Sequence, residues 1–314
     1  MILVCGEALV DLFVAPPDGD AMPASVVAGG SPFNLAIGLA RLGVPAAFLG
    51  GVSRDSFGAF LAARLTKEGV DDRFLVRSER PTTISAVVTA PDGQPNYSFH
   101  GEGAADRWLR LEDLPAALPP EIEALTFGSY AMAVEPIGSA LAALAVREAG
   151  RRVISVDPNL RPAVVGDMGR WAQAAERFYR VATIVKASEE DVRLAWSGGF
   201  SVEEAARFWL AHGAGLVVVT RGEAGATVFG HAGAVSAPAH AVQVVDTVAA
   251  GDSFHAALLA RLAQTGRLSR AAIAALDRPA LADLLGYAMA AAAVTVTRRG
   301  ADLPTAAEMQ AMLR

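Results

Sequence analysis

Short apolar runs alternate with helical patterns along most of the chain. Continuous apolar runs, which are typical of strands covered on both faces, lie at 2–5, 48–52, 125–127, 153–156, 183–185 and 216–219. Apolar residues at helical spacing occupy segments between and after them, at 56–67, 136–149, 170–179, 202–211 and 281–296. This alternation predicts parallel strands joined by right-handed crossovers, and therefore an α/β fold with a mostly parallel central sheet.

The pattern changes between residues 82 and 100. Two strand-like runs, 82–89 and 96–100, are joined by a turn at 90–95 that contains proline, aspartate and glycine. No helix fits between the two runs, so an antiparallel hairpin is expected to leave the main sheet here. A short hairpin cannot bury both of its faces alone, so it must cover a ligand, a partner subunit or both.

The stretch 244–262 combines a strand end, a small-residue turn and a helix. The β-branched pair Val244 and Val245 predicts the end of a buried strand. Asp252 falls in the first turn of the helix, where backbone N–H groups lack intrahelical partners and the helix dipole is positive. Small residues there let an anion approach the bare amides. Asp252 therefore either caps its helix or takes the proton of a hydroxyl that attacks a bound phosphoryl group.

A second glycine-containing segment, at 29–34, begins another helix. Ser31 is predicted to be its N-cap and Pro32 its first helical residue. Asn34, a polar amide in the first turn, either caps locally or points at a ligand over the glycines. Asp11 follows the first strand, and ligand clefts in parallel sheets open at the carboxyl ends of strands. Asp11 is therefore either a ligand-binding acid or a solvated loop residue.

Polar segments also follow three later strands, at 157–161, 186–191 and 220–225. Each alone is compatible with a solvated turn, but three at the same edge of a parallel sheet predict a cleft. The five histidines lack the spacing of a zinc site, so each is interpreted as a surface or packing residue.

The composition excludes several classes of function. A net charge of −6 without basic clusters argues against a nucleic-acid partner. The single cysteine, Cys5, cannot form an internal disulfide and is interpreted as a buried strand thiol. The first residues lack the basic segment and long apolar core of a signal peptide, and the alanine-rich run 288–296 is too short to span a bilayer. A cytoplasmic enzyme with no membrane partner is expected.

Taken together, these segments resemble the PfkB (ribokinase-like) family of sugar and nucleoside kinases. Its two signatures are similar to GGSPFN at 29–34 and DTVAAGDSF at 246–254, in the same order and at the same separation. The resemblance spans almost the whole chain. It implies a single domain over 1–314 with a three-layer α/β/α ribokinase-like fold, and a small β-hairpin lid built from segments 12–28 and 82–105.

The resemblance also implies an ATP-dependent sugar kinase and gives roles to individual residues. Asp252 would be the general base, and the amides of Ala249, Ala250 and Gly251 would form the anion hole for the transferring phosphoryl group. The residues that would line the sugar site are Asp11, Gly30, Asn34, Asp157, Asn159 and Arg161. The residues that would lie on the ATP side are Lys186, Ser188, Thr220, Gly222, Gly225 and Met289.

ATP and Mg²⁺ are the implied cofactors, with magnesium held through water near Asp191 and a monovalent cation such as K⁺ beside Asp246. Family members often pair their lids, which implies a homodimer. Ala249 stands where a first glycine is commonest, and Ser188 and Met289 stand where many members have asparagine. These departures affect magnesium and adenine packing rather than the chemistry.

The segments 6–13, 101–107 and 157–162 are most like the fructokinase branch, which implies phosphorylation of O6 of fructose. Ribokinase and 2-keto-3-deoxygluconate kinase activities stay open, and for the second of these Arg107 and Arg161 would pair with the substrate carboxylate. A third alternative is a sugar sensor that keeps the cleft without turnover. Retention of Gly251 and Asp252 argues against the sensor.

Overall fold

The computed structural model describes residues 1–89, 95–196 and 199–313. The strands within these ranges are β1 (Ile2–Cys5), β2 (Leu9–Val14), β3 (Ala24–Gly29), β4 (Ala46–Ser53), β5 (Leu75–Ser78), β6 (Ile84–Thr89), β7 (Pro95–His100), β8 (Ala124–Gly128), β9 (Val153–Asp157), β10 (Ile184–Ser188), β11 (Leu216–Thr220), β12 (Ala226–Gly230) and β13 (Gly233–Ala237). The α-helices are α1 (Ser31–Arg41), α2 (Ser56–Lys67), α3 (Ile137–Glu148), α4 (Pro162–Val165), α5 (Met168–Tyr179), α6 (Glu189–Ala195), α7 (Val202–Ala211), α8 (Ala250–Gln264), α9 (Arg270–Ala274), α10 (Arg278–Val296) and α11 (Ala306–Met312).

Nine of the described strands form the central sheet, in the order β13-β12-β11-β10-β9-β8-β1-β4-β5. Its strands run parallel except at one edge, where β12 and β13 form an antiparallel hairpin. Alternate residues of β1 face opposite layers: Ile2 and Val4 join the core beneath α1, α2, α8 and α10, while Leu3 and Cys5 join the core beneath α3, α5 and α7. The predicted three-layer α/β/α fold is confirmed.

The other four described strands form a second, smaller sheet in the order β3-β2-β6-β7. The pair β6 and β7 is the hairpin that the sequence predicts, and residues 90–94 of its turn lie outside the described residues. The preceding segment adds the antiparallel pair β2 and β3, and β2 joins β6 in parallel. The hairpin is therefore part of a four-stranded sheet.

The strand predicted to end at Val244 and Val245 is absent from the described residues. The two side chains are 59% and 52% exposed, and the chain between β13 and α8 is irregular. The Val245 amide donates to the carbonyl of Val296 at the end of α10. The central sheet already ends at the β12–β13 hairpin, so this apolar pair lies outside it.

The alanine-rich run 288–296 belongs to the longer helix α10. By length and composition alone this 19-residue helix could cross a membrane, which the run by itself could not. However, 61% of its apolar window is buried within the protein, where Leu284 and Ala288 share a core with Leu258 of α8. An apolar helix buried in this way is typical of the core of a soluble protein.

Candidate active site

The carboxyl ends of β9, β10 and β11 meet at one edge of the central sheet. Asp157 ends β9, and Ser188 ends β10, where it pairs with Thr220 of β11. The first turn of α8 lies at the same edge, because a Cβ atom on Gly251 would be 3.1 Å from the Lys186 Nζ atom of β10. The polar strand ends and the small-residue turn thus lie together.

Asp252 lies in the first turn of α8, and only 8% of it is exposed. Its carboxylate accepts hydrogen bonds from Ser31 Oγ at 2.6 Å and from Asn34 Nδ2 at 2.9 Å. Both donors belong to the first turn of α1. The two glycine-containing segments, far apart in sequence, therefore meet at one carboxylate.

Ser31 is not the N-cap of α1, contrary to the sequence prediction. Gly30 takes that position with a φ of 107°, and a Cβ atom there would lie 2.9 Å from the Glu7 carbonyl oxygen. Only glycine fits this close approach. Ser31 becomes the first helical residue, and its hydroxyl donates to the Asp252 carboxylate, which is a stronger acceptor than a neutral group.

The turn before Asp252 is partly exposed at Ala249, Ala250 and Gly251. Ala249 adopts a left-handed conformation, with φ 60° and ψ 12°, which is uncommon for a residue with a side chain. The Ala250 amide donates a long hydrogen bond of 3.3 Å to the Thr247 carbonyl. The Gly251 amide belongs to the first turn, which has no intrahelical partner for it. This geometry suits an approaching anionic oxygen.

Lys186 and Asp157 form a buried ion pair beside this turn. Lys186 Nζ donates to Asp157 Oδ2 at 2.7 Å, and each residue is 4% exposed. Burial raises the pKa of Asp157 to about 6, against the opposing effect of the Lys186 charge. Burial also lowers the pKa of Lys186, but the neighbouring carboxylates, Asp157 first, outweigh it and raise this pKa above its usual value. The lysine is therefore charged at neutral pH.

This ion pair gives the Asp157 carboxylate a charged partner within the protein. The sequence placed it at the sugar site, but its carboxylate faces Lys186 on the neighbouring strand, where a buried charge requires a partner. A polar residue after a continuous apolar run does not reveal from the sequence which partner it will have. The ion pair accounts for one carboxylate oxygen of Asp157, and its role at the sugar site stays a prediction.

Asp11 lies on β2 of the second sheet and not in a solvated loop. A Cβ atom on Gly29 of β3 would lie only 2.3 Å from the Asp11 Oδ2 atom, so the carboxylate lies directly over this glycine. Burial raises the pKa of Asp11. The acid therefore packs against the strand that leads directly into Gly30 and α1.

Two buried acids without a predicted role, Glu7 and Asp106, lie behind this region, each 1% exposed. Asp106 accepts hydrogen bonds from Thr83 Oγ1 at 2.5 Å and from the Tyr130 hydroxyl at 2.6 Å. Burial raises the pKa of Glu7 to about 8, with the Ser129 hydroxyl opposing the rise and the Asp106 charge adding to it. Glu7 is therefore mostly protonated at neutral pH.

The raised pKa of Glu7 predicts that the protein becomes less stable as the pH rises. Between about pH 4.5 and pH 8 the folded state retains a proton that the unfolded chain releases, so the free energy of unfolding falls by roughly 3 kcal/mol from pH 5.5 to pH 8. Glu7→Gln should abolish most of this slope in urea unfolding. The control, Glu203→Gln at an exposed site on α7, should keep it, and an equal slope in both variants would contradict the assignment.

Asn159 and Arg161 lie in the loop after β9. Asn159 has a positive φ of 38°. The charge of Arg161 lowers the pKa of Glu7, which indicates that its guanidinium lies on the side of the buried acids. Asp191 fixes this loop, because its Oδ1 atom accepts a hydrogen bond from the Leu160 amide at 2.8 Å.

The residues predicted for the ATP side have different surroundings. Thr220 ends β11, and Gly222 follows with a φ of 54° and open space where a side chain would be. A Cβ atom on Gly225 would collide with the Ala237 carbonyl, so packing against the end of β13 already requires this glycine. Met289 of α10 is 7% exposed and packs in the core. Their contact with ATP stays a prediction.

Asp191 and Asp246, predicted to lie near cations, both accept hydrogen bonds from main-chain amides. Asp191 Oδ2 accepts from the amide and hydroxyl of Ser188, the N-cap of α6. Asp246 accepts from the amides of Val248 at 3.0 Å and Gly300 at 2.8 Å. Among the described residues, no group of three or more His, Cys, Asp or Glu is placed to hold a metal. Cation binding at Asp246, and near Asp191 through water, stays a prediction.

Sequence reasoning gave no role at the site to Glu7, Asp106 or His255, and it interpreted Ser31 only as a helix cap. One signal was available for His255, which lies three residues after Asp252 and therefore one helical turn away from it. Glu7 is separated from the four-residue apolar strand β1 by Gly6 alone, but its burial depends on contacts with distant segments.

A nearly buried carboxylate, a first-turn amide without a helical partner and a buried ammonium at one sheet edge suit the transfer of a phosphoryl group to a hydroxyl. The family model described as "pfkB family carbohydrate kinase" matches residues 1–308, and the chain belongs to this family. It is therefore a carbohydrate kinase.

Individual proteins similar to this chain are fructokinases. A fructokinase of Rhizobium leguminosarum bv. trifolii is 41% identical over 282 residues, which cover 90% of this chain and 85% of that protein. The crystal structure of a Xylella fastidiosa fructokinase with bound ATP has a TM-score of 0.89 and 29% identity, covering 99% of this chain and 97% of that one. A fructokinase from Vibrio cholerae O395, with fructose, ADP and a calcium ion, has a TM-score of 0.83 and 31% identity, covering 100% and 98%.

Proposed function

We propose that this chain uses ATP to phosphorylate O6 of fructose, with Asp252 as the general base. The observation that supports this most directly is the Asp252 carboxylate, 8% exposed, in the first turn of α8 next to the Ala249–Gly251 amides. The similarity to fructokinases with bound ATP or with fructose and ADP supports the choice of both substrates.

The sugar lies, in this proposal, between the first turn of α1 and the second sheet. Asn34 and Ser31 orient the Asp252 carboxylate through their two hydrogen bonds, so that one oxygen lone pair is directed at the attacking hydroxyl. Asp11 binds other sugar hydroxyls, and Gly30 brings main chain close to the ring. Arg161 and Asn159 close the opposite side.

The phosphoryl group is transferred at the α8 turn. The amides of Ala249, Ala250 and Gly251 face the charge that develops on its oxygens, and the Lys186 ammonium lies beside them. Mg²⁺ supplies charge neutralisation on the nucleotide phosphates when it is bound. Ser188 and Asp191 would hold it through water, and Asp246 would hold K⁺. Since the reaction consumes ATP, we propose a cytoplasmic location.

The second sheet serves as the lid and as a dimer surface in this proposal. Paired residues share a face, so Leu12, Val26 and Ala86 lie on the face opposite Asp11, with Val88 one pair further along. Val26 and Val88 are 37% and 41% exposed. Neighbouring exposed apolar side chains on one sheet face are typical of a surface that binds a partner. Closing the opposite face over the sugar excludes water from the transfer.

We predict that light scattering gives the mass of a dimer and that Val88→Lys converts the protein to a monomer with an unchanged melting temperature. A lysine at this surface would place a charge in the apolar contact. Glu203→Lys, on the exposed side of α7, is the matched control and should stay dimeric. A monomeric wild type would remove the dimer proposal without affecting the kinase proposal.

A sugar panel tests the activity. ADP release should be stimulated by fructose far more than by ribose, 2-keto-3-deoxygluconate or glucose, and phosphorus NMR should place the new phosphate on O6. If another sugar of the panel is preferred, the chain is a sugar kinase of different specificity. If none stimulates ADP release while one raises the melting temperature, the sensor alternative is correct.

A further inference from the structure

His255 is buried directly behind the ion pair of Asp157 and Lys186. It lies on α8 one turn after Asp252, and its side chain is 0% exposed. Its Nε2 atom is 2.7 Å from the Ser155 hydroxyl of β9, and its Nδ1 atom is 3.7 Å from Asp157 Oδ2. That carboxylate oxygen is the one to which Lys186 donates. The histidine and the lysine therefore both approach the same carboxylate oxygen of Asp157.

The charge state of His255 follows from its surroundings. Burial, and then the Lys186 charge, lower its pKa to about 3, so the ring is neutral with one N–H group. The Asp157 carboxylate attracts that proton to Nδ1, and Ser155 then donates its hydroxyl to Nε2. Among the described atoms, His255 Nδ1 and Asp157 Oδ1 are both buried without a hydrogen-bond partner. A buried donor without a partner thus lies 3.7 Å from a carboxylate whose other oxygen also has no partner.

Lys186 lies where it can contact either Asp157 or a phosphoryl group bound at the α8 turn. Its ammonium lies at the Gly251 end of the anion turn, 3.1 Å from where a Cβ atom would be, so a phosphoryl group bound there competes with Asp157 for it. If Lys186 turns to the phosphoryl group, Asp157 loses the one charged partner that it has among the described residues, which is strongly unfavourable for a buried carboxylate.

We propose that His255 is a positioning residue that compensates for this loss. When Lys186 moves towards the transferring phosphoryl group, the Nδ1–H group of His255 closes on Asp157 and donates a hydrogen bond to it. Ser155 holds the ring in the required tautomer throughout. His255 touches neither substrate, and acts only through Asp157 on Lys186. The effect on turnover rests on the proposed kinase function, whereas the movement of the proton donor requires nucleotide binding alone.

Two variants separate this role from simple packing. His255→Leu fills the space without a donor and should lower kcat with fructose by about tenfold, equivalent to about 1.4 kcal/mol, with KM for fructose unchanged. His255→Asn places an amide N–H near the Nδ1 position and should retain kcat within about threefold of wild type. Packing alone would instead make both variants lose melting temperature and kcat together. Equal kcat in wild type and His255→Leu would overturn the proposal.

A spectroscopic experiment does not depend on turnover. In ¹⁵N-histidine-labelled protein, His255 is assigned by the loss of its signals in His255→Asn, and should show Nδ1–H as the only protonated nitrogen. Adding a non-hydrolysable ATP analogue with Mg²⁺, without sugar, should move that proton downfield as the hydrogen bond to Asp157 forms. An unchanged signal after calorimetry has shown nucleotide binding would overturn the proposal, even in an active kinase. An absence of ADP release with every sugar would overturn the proposed function instead.

Discussion

Replacing Asp252 with asparagine is expected to lower kcat by about 10²–10⁴-fold, the range that a general base supplies. Asparagine has the same shape, and its amide oxygen still accepts from Ser31 Oγ. Asn34 can turn its own amide oxygen towards the new NH₂ group, so the contact at 2.9 Å is preserved with reversed roles. The variant therefore lacks only the ability to take a proton, and fructose binding should change by less than about threefold.

ADP release and calorimetric titration with fructose measure the two effects. Asp277→Asn is a matched control, since Asp277 is also an aspartate at a helix N-terminus, where its carboxylate accepts from the Ala280 amide. Asparagine caps helices equally well, so this variant should keep both activity and stability. Equal loss of binding and turnover in Asp252→Asn would instead make Asp252 a binding or structural residue.

Lys186→Met is expected to reduce both stability and turnover. It leaves Asp157, 4% exposed, without its cation, and breaking a buried ion pair by removing one partner costs about 3–5 kcal/mol. Burial already raises the pKa of Asp157 to about 6, so without lysine the carboxyl takes up a proton more readily. The destabilisation should therefore shrink as the pH falls towards 5. The turnover number should fall about 10²–10³-fold, because the ammonium beside the anion turn is lost.

The double variant Asp157→Asn with Lys186→Met separates the two effects. It removes both charges, so urea unfolding should show most of the lost stability restored. Turnover should stay low, because no ammonium is returned to the α8 turn. A double variant that regains wild-type kcat would show that Lys186 serves the fold alone.

The sequence predicted the fold well because its strands and helices follow from local patterns. The run at 216–219 and the helix at 202–211 correspond to β11 and α7 within one residue. Val244 and Val245 show the limit of such patterns, since the same two β-branched residues suit a buried strand or an exposed connection. The exposed connection is formed because the β12–β13 hairpin already occupies this edge of the sheet, and the order of strands in a sheet is part of the tertiary structure.

The candidate site was predicted unevenly for a similar reason. Asp252 and Asn34 could be singled out because small residues and a helix start accompany each of them. The pairing of Lys186 with Asp157, and the burial of Glu7 beside Asp106, depend on which strands become neighbours. A charged residue after an apolar run has the same local pattern whether it meets water or a buried partner.

The contacts of Asp252 also bear on how the protein is made. Its two hydrogen-bond donors, Ser31 and Asn34, are 221 and 218 residues away in the chain. At a synthesis rate of about 5–20 residues per second, roughly 10–45 seconds separate the synthesis of the first turn of α1 from that of the first turn of α8. Until then a ribosome-bound fragment lacks the carboxylate that we propose as the base, so under this proposal it cannot yet phosphorylate a sugar.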